Sequence, residues 1–484
     1  MQHGDATHGM RPNDEDEDAG RDEPKRAIPQ PRGPLRNQEF QKTMLRDSRG
    51  HALSGATAQS LPHYEAAVRQ FSLFTGDPVA TIDKAIAASP DFVMAHALRA
   101  WLHLLGTEPA GVGVARAALA MTGGLPATAQ EKGHLAAIAH LLDGRWHAAS
   151  AMLEDVTIAY PRDLLALQAG HQTDFFRGDA RMLRDRIARA LPYWSAEVPG
   201  YHAVLGMQAF GLEETGAYAA AERLGRRAVD LEARDAWAQH AVAHVMEMQC
   251  RHRDGIAWMM GNANGWSHDS FLAVHNWWHV ALYHLDLGET DEALALYDGR
   301  IWGARSRVIL EMIDAAAMLW RLSLRGVALG ERWQPLAEAW APTADAGLYA
   351  FNDVHAVMAF VGAGRRDLIR RVLAGQEETM RGEDDNAAFT CEVGRPVTLA
   401  LVAFGDGRYG ECVERLRAVR NIAHRFGGSH AQRDVLDLTL IEAALLSGQG
   451  ALAAALAAER TAMRPQSPLG RLFMARAAQL KRAA

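Results

Sequence analysis

Cysteine is scarce in this 484-residue chain, and its three copies exclude two classes of small cross-linked fold. Cys250, Cys391 and Cys412 are widely and irregularly spaced. That spacing fits neither a disulfide framework nor a zinc knuckle. We therefore expect three reduced thiols that pack within helices.

Long apolar runs and dense clusters of basic residues are also missing. No apolar stretch approaches the roughly 18 residues that a membrane span needs, and the amino terminus lacks a hydrophobic segment for export. The formal net charge is −7, and Lys and Arg are nowhere dense enough to follow a phosphate backbone. These absences predict a cytoplasmic protein whose partners include neither a membrane nor nucleic acid.

Alternating runs of Val, Ile and Thr are hard to find, whereas Ala and Leu are frequent, so the composition predicts an all-α fold. Residues 1–38 are rich in Pro, Gly and charge and have little to bury. Because such a segment cannot offset the entropy of ordering, we expect a disordered acidic, proline-rich tail there. Residues 39–484 should form the folded part.

A small-residue turn recurs along the folded part at intervals of 34 to 43 residues. This period is typical of tetratricopeptide-like helical pairs, which stack because no single pair can bury its own apolar face. A glycine would end the first helix of each pair. We predict a right-handed α-solenoid of stacked helical pairs. Its predicted turns lie at Gly144, Gly178, Gly216, Cys250, Gly288, Gly330, Gly364, Gly407 and Gly448.

Histidines concentrate in one region, because seven of the 21 fall between His240 and His284. Two pairs have helical spacing, so each would present two imidazoles on one helix face. Counting back from the turns places these pairs on first helices, which line the concave surface of stacked repeats. The pairs are His240 with His244, followed by Glu247, and His275 with His279.

Three interpretations of this face stay open. Four imidazoles suit zinc, iron or manganese, with Glu247 as a further ligand or general base. Alternatively, the histidines and neighbouring tryptophans line a metal-free pocket for a small polar or anionic ligand, or they simply pack between helices. The candidate metal ligands are His240, His244, His275 and His279, and the candidate ligand-binding residues are Trp277, Trp278, His171 and His355.

A second candidate site lies in residues 425–448. Ser429 has Gln432 three residues later, which predicts a capping box at a helix start. Such a start favours an anion, and Arg433 would add positive charge. His430 and Asp434 share a face and could act as a general base and its carboxylate. Capping and an intrahelical hydrogen bond would explain the same residues without any function.

The motifs HAVAHVMEMQ at 240–249, HNWWH at 275–279 and GGSHAQRD at 427–434 are more specific than repeat periodicity demands. With them the chain resembles a bacterial member of the tetratricopeptide repeat protein 38 family, although Cys250 stands where the family has Gly. The resemblance implies a tetratricopeptide-like solenoid but no settled reaction.

Our leading hypothesis is an enclosed pocket for a small polar or anionic ligand, in which a divalent metal would activate water for hydrolysis. Its catalytic residues would be Glu247, His430 and Asp434, with Ser429 and Arg433 holding the ligand. The alternative is an interaction scaffold that binds a peptide or a partner helix in the concave groove.

Overall fold

The computed structural model describes residues 44–483, and over that range the protein is all-α. Two isolated β-bridges are the only extended pairing among these residues. The prediction of an all-α, tetratricopeptide-like solenoid is confirmed. The predicted tail at residues 1–38 lies outside the described residues and stays a prediction.

Consecutive helices pack as pairs along the described chain. The helices are α1 Leu61–Leu73, α2 Pro78–Ala88, α3 Val93–Leu104, α4 Pro109–Met121, α5 Ala129–Leu142, α6 Trp146–Ala159, α7 Leu164–Phe176, α8 Ala180–Ala190, α9 Tyr201–Glu214, α10 Tyr218–Leu231, α11 Ala236–Met248, α12 His252–Gly261, α13 Ala263–Trp266, α14 Ala273–Leu287, α15 Thr290–Leu296, α16 Ile309–Leu324, α17 Trp333–Trp340, α18 Ala350–Gly362, α19 Arg366–Thr379, α20 Asp385–Phe389, α21 Arg395–Gly405, α22 Tyr409–Val419, α23 His430–Leu446, α24 Gly450–Met463 and α25 Pro468–Ala483.

All nine predicted turn residues have positive φ angles, as glycine-terminated helices require. The angles run from 57° at Cys250 and Gly330 to 83° at Gly288. The helix-ending turn that was predicted at Gly330 lies four residues earlier, at Gly326. Helix α16 ends at Leu324, so Gly326, with a φ of 74°, follows it, and Gly330 instead begins a short 3₁₀ turn.

Cys250 is the only one of these nine residues with a Cβ atom, and its φ of 57° is unfavourable for an L side chain. We expect Cys250→Gly to raise the free energy of unfolding by about 1 kcal/mol, because it relieves that backbone strain. Urea denaturation measures this change. The matched control is Cys391→Gly in a helical segment, which should lower the free energy of unfolding by roughly 0.3 kcal/mol, because Gly is a poorer helix former than Cys. Changes of the same sign would contradict the strain argument.

Early and late repeats contact each other across the interior. The Ile309 N–H donates to Glu108 Oε1 at 2.7 Å, although 201 residues separate them. The Tyr349 hydroxyl donates to the Phe176 carbonyl at 2.8 Å, across 173 residues. The solenoid therefore closes on itself, and inner helix faces pack against one another.

Helix α11 lies at the centre of this closed arrangement. Every residue from Ala236 to Met248 is buried, and the helix packs against α9, α10, α12, α14 and α23. The Asp235 side chain caps its start by accepting from the Ala238 N–H at 2.8 Å. Polar side chains on a fully buried helix need internal partners, because leaving them unpaired costs free energy.

One continuous helical stretch, Asp385–Gly405, has the length and the mean hydropathy, 1.3, of a membrane span. Charged residues such as Glu392 interrupt its apolar run, so the sequence pattern alone does not indicate a span. Of its most apolar window, 56% is buried inside the fold, as in a core helix of a globular protein.

Candidate metal centre

The four histidines predicted as metal ligands lie together. One ligand atom from each of His240, His244, His275 and His279 falls within 4.8 Å of the others. Helix α11 supplies the first two and α14 the second two, and the i, i+4 spacing aligns each pair. Ring centroids of His240 and His244 are 4.4 Å apart, and those of His244 and His279 are also 4.4 Å apart.

These imidazoles are removed from water. His240, His244 and His279 are at most 1% exposed, and the His275 side chain is 17% exposed. Burial lowers the pKa of His240 well below its ordinary value and that of His279 to about 3. Both rings are therefore neutral at pH 7, the state that a histidine needs in order to bind a metal ion.

Two of the four imidazole rings form hydrogen bonds with carboxylates. His275 Nδ1 lies 2.9 Å from Asp314 Oδ1, and His279 Nδ1 lies 3.1 Å from Glu247 Oε2. An imidazole that donates its Nδ1–H to a carboxylate keeps its lone pair at Nε2. This is the outer-shell arrangement found around metal-binding histidines.

Glu247 therefore positions His279, and the contacts do not support its predicted role as a general base. Burial raises the pKa of Glu247, but the hydrogen bond from His279 and the nearby Arg464 outweigh it and bring the pKa to about 2. A carboxylate with so low a pKa is a weak base.

Several nitrogens in the cluster are buried without a hydrogen bond. These atoms are His240 Nδ1, both ring nitrogens of His244 and His279 Nε2. Buried polar atoms nearly always have a partner, so such a group indicates a missing one. Tetrahedral zinc, with bonds of about 2.0–2.1 Å, needs nitrogens about 3.4 Å apart. The Nε2 atoms of His240 and His275 are 3.1 Å apart, and the four ligand atoms lie within 4.8 Å of one another, so pair distances must change by up to about 1.4 Å.

Aromatic rings wall the cluster. The fully buried Trp278 stacks on His275 with ring centroids 5.4 Å apart and an interplanar angle of 14°. Phe210 stacks on His240 at 5.4 Å, and Trp237 lies 4.9 Å from the same ring. Of the residues predicted to bind a ligand, Trp278 thus borders the histidines directly.

Three other predicted ligand-binding residues lie outside the cluster. His171 contacts Trp237 at 5.7 Å, with Trp237 between it and His240. Trp277 packs on Trp266, with ring centroids 4.8 Å apart. His355 Nδ1 bonds the Phe351 carbonyl of its own helix at 2.8 Å. Their role in ligand binding stays a prediction, because a first-helix position does not specify which neighbour a side chain meets.

The predicted capping box at the start of α23 is confirmed, but the predicted base pair is wrong. Ser429 Oγ accepts from the Gln432 N–H at 3.2 Å, so this side chain serves the helix end. Asp434 binds Arg460 through both oxygens, at 2.6 and 3.0 Å, whereas His430 Nε2 contacts Glu213 Oε1 at 2.9 Å. His430 and Asp434 therefore do not pair with each other on α23. Each instead pairs with an oppositely charged side chain on another helix.

His430 also lies beside two carboxylates that favour its protonated form, which does not act as a base. Burial opposes the charge, but Glu214 and Glu213 outweigh it and raise the pKa of His430 to about 9. For Asp434, burial raises the pKa, yet Arg460 and Arg464 bring it below its ordinary value. Both groups are charged members of ion pairs.

A cavity of about 390 Å³ opens beside His430. Four arginines and three carboxylates line it, and three of these arginines, Arg420, Arg460 and Arg464, lie within 4 Å of a lining carboxylate. Arg433, predicted to bind an anion, lies in this wall, donates to the Gly428 carbonyl and has its Nη2 atom 3.8 Å from Glu214. The charged lining residues are Arg420, Arg433, Arg460, Arg464, Asp434, Asp437 and Glu459.

Asp314, Glu213 and Glu214 were not among the residues predicted from the sequence, although the repeat period points to Asp314. It lies 39 residues after His275, within the range of the repeat intervals. Equivalent positions on successive first helices become spatial neighbours in stacked repeats. A search for polar residues one period from each histidine would have identified it.

No family model matches the chain. It is similar to the crystal structure of yeast Tom70, with 12% identity, a TM-score of 0.31, and 87% of this chain and 89% of that chain covered. It is also similar to Cut9-Hcn1 of the APC/C hetero-tetramer, with 11% identity, a TM-score of 0.31, and 86% and 96% covered. The crystal structure of the P58(IPK) TPR domain is a third similar structure, with 14% identity, a TM-score of 0.19, and 81% of this chain and 99% of that chain covered. Scores this low carry no functional argument.

Proposed function

We propose that this repeat protein binds a transition-metal ion through His240, His244, His275 and His279. The single observation that carries the proposal is the convergence of the four imidazoles within 4.8 Å, with unpartnered nitrogens at its centre. Of the metals that the sequence suggested, zinc and iron suit four neutral nitrogen ligands better than manganese, which prefers oxygen.

The cavity beside His430 supports a small polar or anionic ligand. Its volume of about 390 Å³ is within the range of small-molecule sites, and its arginines favour negative charge. A metal-activated water would make hydrolysis of that ligand the corresponding reaction class. Hydrolysis, and membership of the tetratricopeptide repeat protein 38 family, stay predictions.

Elemental analysis tests the metal centre. The untagged protein should hold at least one zinc or iron ion per chain, either as purified or after zinc loading and gel filtration. His240→Ala/His279→Ala should lose it, because half of the ligands are removed. Thermal denaturation with and without zinc should show stabilisation of the wild type alone.

The matched control is His355→Ala, since His355 is also only 1% exposed but lies outside the cluster. This variant should keep the metal of the wild type. A zinc-loaded wild type without metal, or equal loss in the two variants, would refute the proposal.

The stacked helical pairs also support a second candidate, an interaction scaffold. Because His240 and His279 are at most 1% exposed, a partner would contact other surfaces of the molecule. Under this function, His240→Ala/His279→Ala should leave partner binding intact in a pull-down that compares it with the wild type. Loss of the same partner in a folded variant would contradict it.

A further inference from the structure

A second group of potential ligands adjoins the four-histidine cluster and shares one residue with it. Glu213 and Glu214 lie at the end of helix α9, and His430 begins α23. These three residues lie close to His244 of α11. One ligand atom from each of these four residues lies within 4.8 Å of the others.

His244 faces both groups. Its Nδ1 lies 3.4 Å from Glu213 Oε2, while its ring lies 4.4 Å from the rings of His240 and His279. Neither nitrogen of this fully buried ring makes a hydrogen bond, nor does Glu213 Oε2. Both ends of one imidazole, and the carboxylate oxygen that it faces, therefore lack a hydrogen-bonding partner.

We infer that His244 bridges two metal ions, an inner one held by the four histidines and an outer one held by Glu213, Glu214, His430 and His244. The inference rests on the proposed metal centre and adds a second ion to it. An imidazole that binds metal through both nitrogens keeps no N–H proton, so binding at both positions releases the ring proton to solvent. His430 likewise gives up a proton when its Nε2 binds the outer ion.

The outer position is the one that a ligand in the cavity would reach. The His430 side chain is 26% exposed and lines the 390 Å³ cavity, whereas His240, His244 and His279 are closed off from it by burial. Two carboxylates and two imidazoles also suit zinc, iron or manganese. The inner ion would then be structural, and the outer ion would contact the anionic ligand.

Metal counting separates this inference from the proposed function. Protein stripped with a chelator is loaded with Co(II), passed through gel filtration and analysed for bound cobalt. We expect two ions per chain in the wild type and one in Glu213→Gln/His430→Asn. The control Asp437→Asn alters the same cavity but no ligand and should keep two.

Electron paramagnetic resonance tests the bridge on the unmodified protein, so the result does not depend on how a variant folds. Two Co(II) ions joined by one imidazolate are magnetically coupled, and the low-temperature signal should be weaker than that of two isolated ions. One ion in both the wild type and the double variant would overturn the second site and leave the four-histidine centre standing. Two uncoupled ions would overturn the bridge, and no bound metal would overturn the proposed function itself.

Discussion

Replacing Asp174 with Asn should lower the free energy of unfolding by about 3 to 5 kcal/mol. Asp174 and Arg186 are both 0% exposed, and they form paired hydrogen bonds of 2.8 and 3.1 Å. The substitution keeps the shape of the side chain but removes the only negative charge that the guanidinium contacts at these distances. A buried cation without a counter-charge is strongly destabilising.

The matched control comes from α8, the helix that carries Arg186. Asp185 contacts Arg181, whose side chain is 82% exposed, so Asp185→Asn should change the free energy of unfolding by less than about 1 kcal/mol.

Combining Asp174→Leu with Arg186→Met should recover much of the lost stability, because apolar pairs often replace buried ion pairs without loss. Urea denaturation of the variants measures each value, and equal effects of the two Asn substitutions would contradict the argument.

Replacing Asp353 with Asn should stabilise the protein at pH 8 by up to about 4 kcal/mol. Burial raises the pKa of Asp353 from 3.8 to about 7, although a hydrogen bond from Gln376 opposes the change. The folded state therefore holds a proton between about pH 4 and pH 7 that the unfolded chain has released. Stability falls as pH rises through this window, at about 1.4 kcal/mol per pH unit.

The sign of this effect can be read from denaturation curves at pH 4, 6 and 8. The difference between Asp353→Asn and the wild type should be small at pH 4 and should grow until about pH 7. The control Asp345→Asn affects an exposed carboxylate paired with Arg371 and should show no such growth. A difference that is constant with pH would contradict a neutral Asp353 in the folded state.

Local spacing was sufficient to place residues on the same helix face. The four histidines are an example, because i, i+4 pairs on two first helices fix both pairs before any tertiary contact is known. The same rule failed for His430 and Asp434, which are neighbours on α23. Glu213, the partner that His430 meets, lies 217 residues away, and no local pattern indicates it.

The closure of the solenoid was also beyond the sequence pattern. A repeat period predicts that each pair stacks on the next, but the curvature of the stack depends on small rotations between pairs. The Glu108 to Ile309 contact exists only because those rotations sum to a closed path. Helix α11 is likewise covered in part by α23, which lies far from it in the sequence.

The closed path affects how the chain folds. An open array can nucleate anywhere and gain order one repeat at a time. Here the pairing of Glu108 with Ile309 must close a loop of about 200 residues before its contacts contribute, which favours slow and highly cooperative folding. During synthesis α11 and α14 emerge long before α23. The faces of α11 and α14 that pack against α23 and α25 therefore stay uncovered until the last repeats dock.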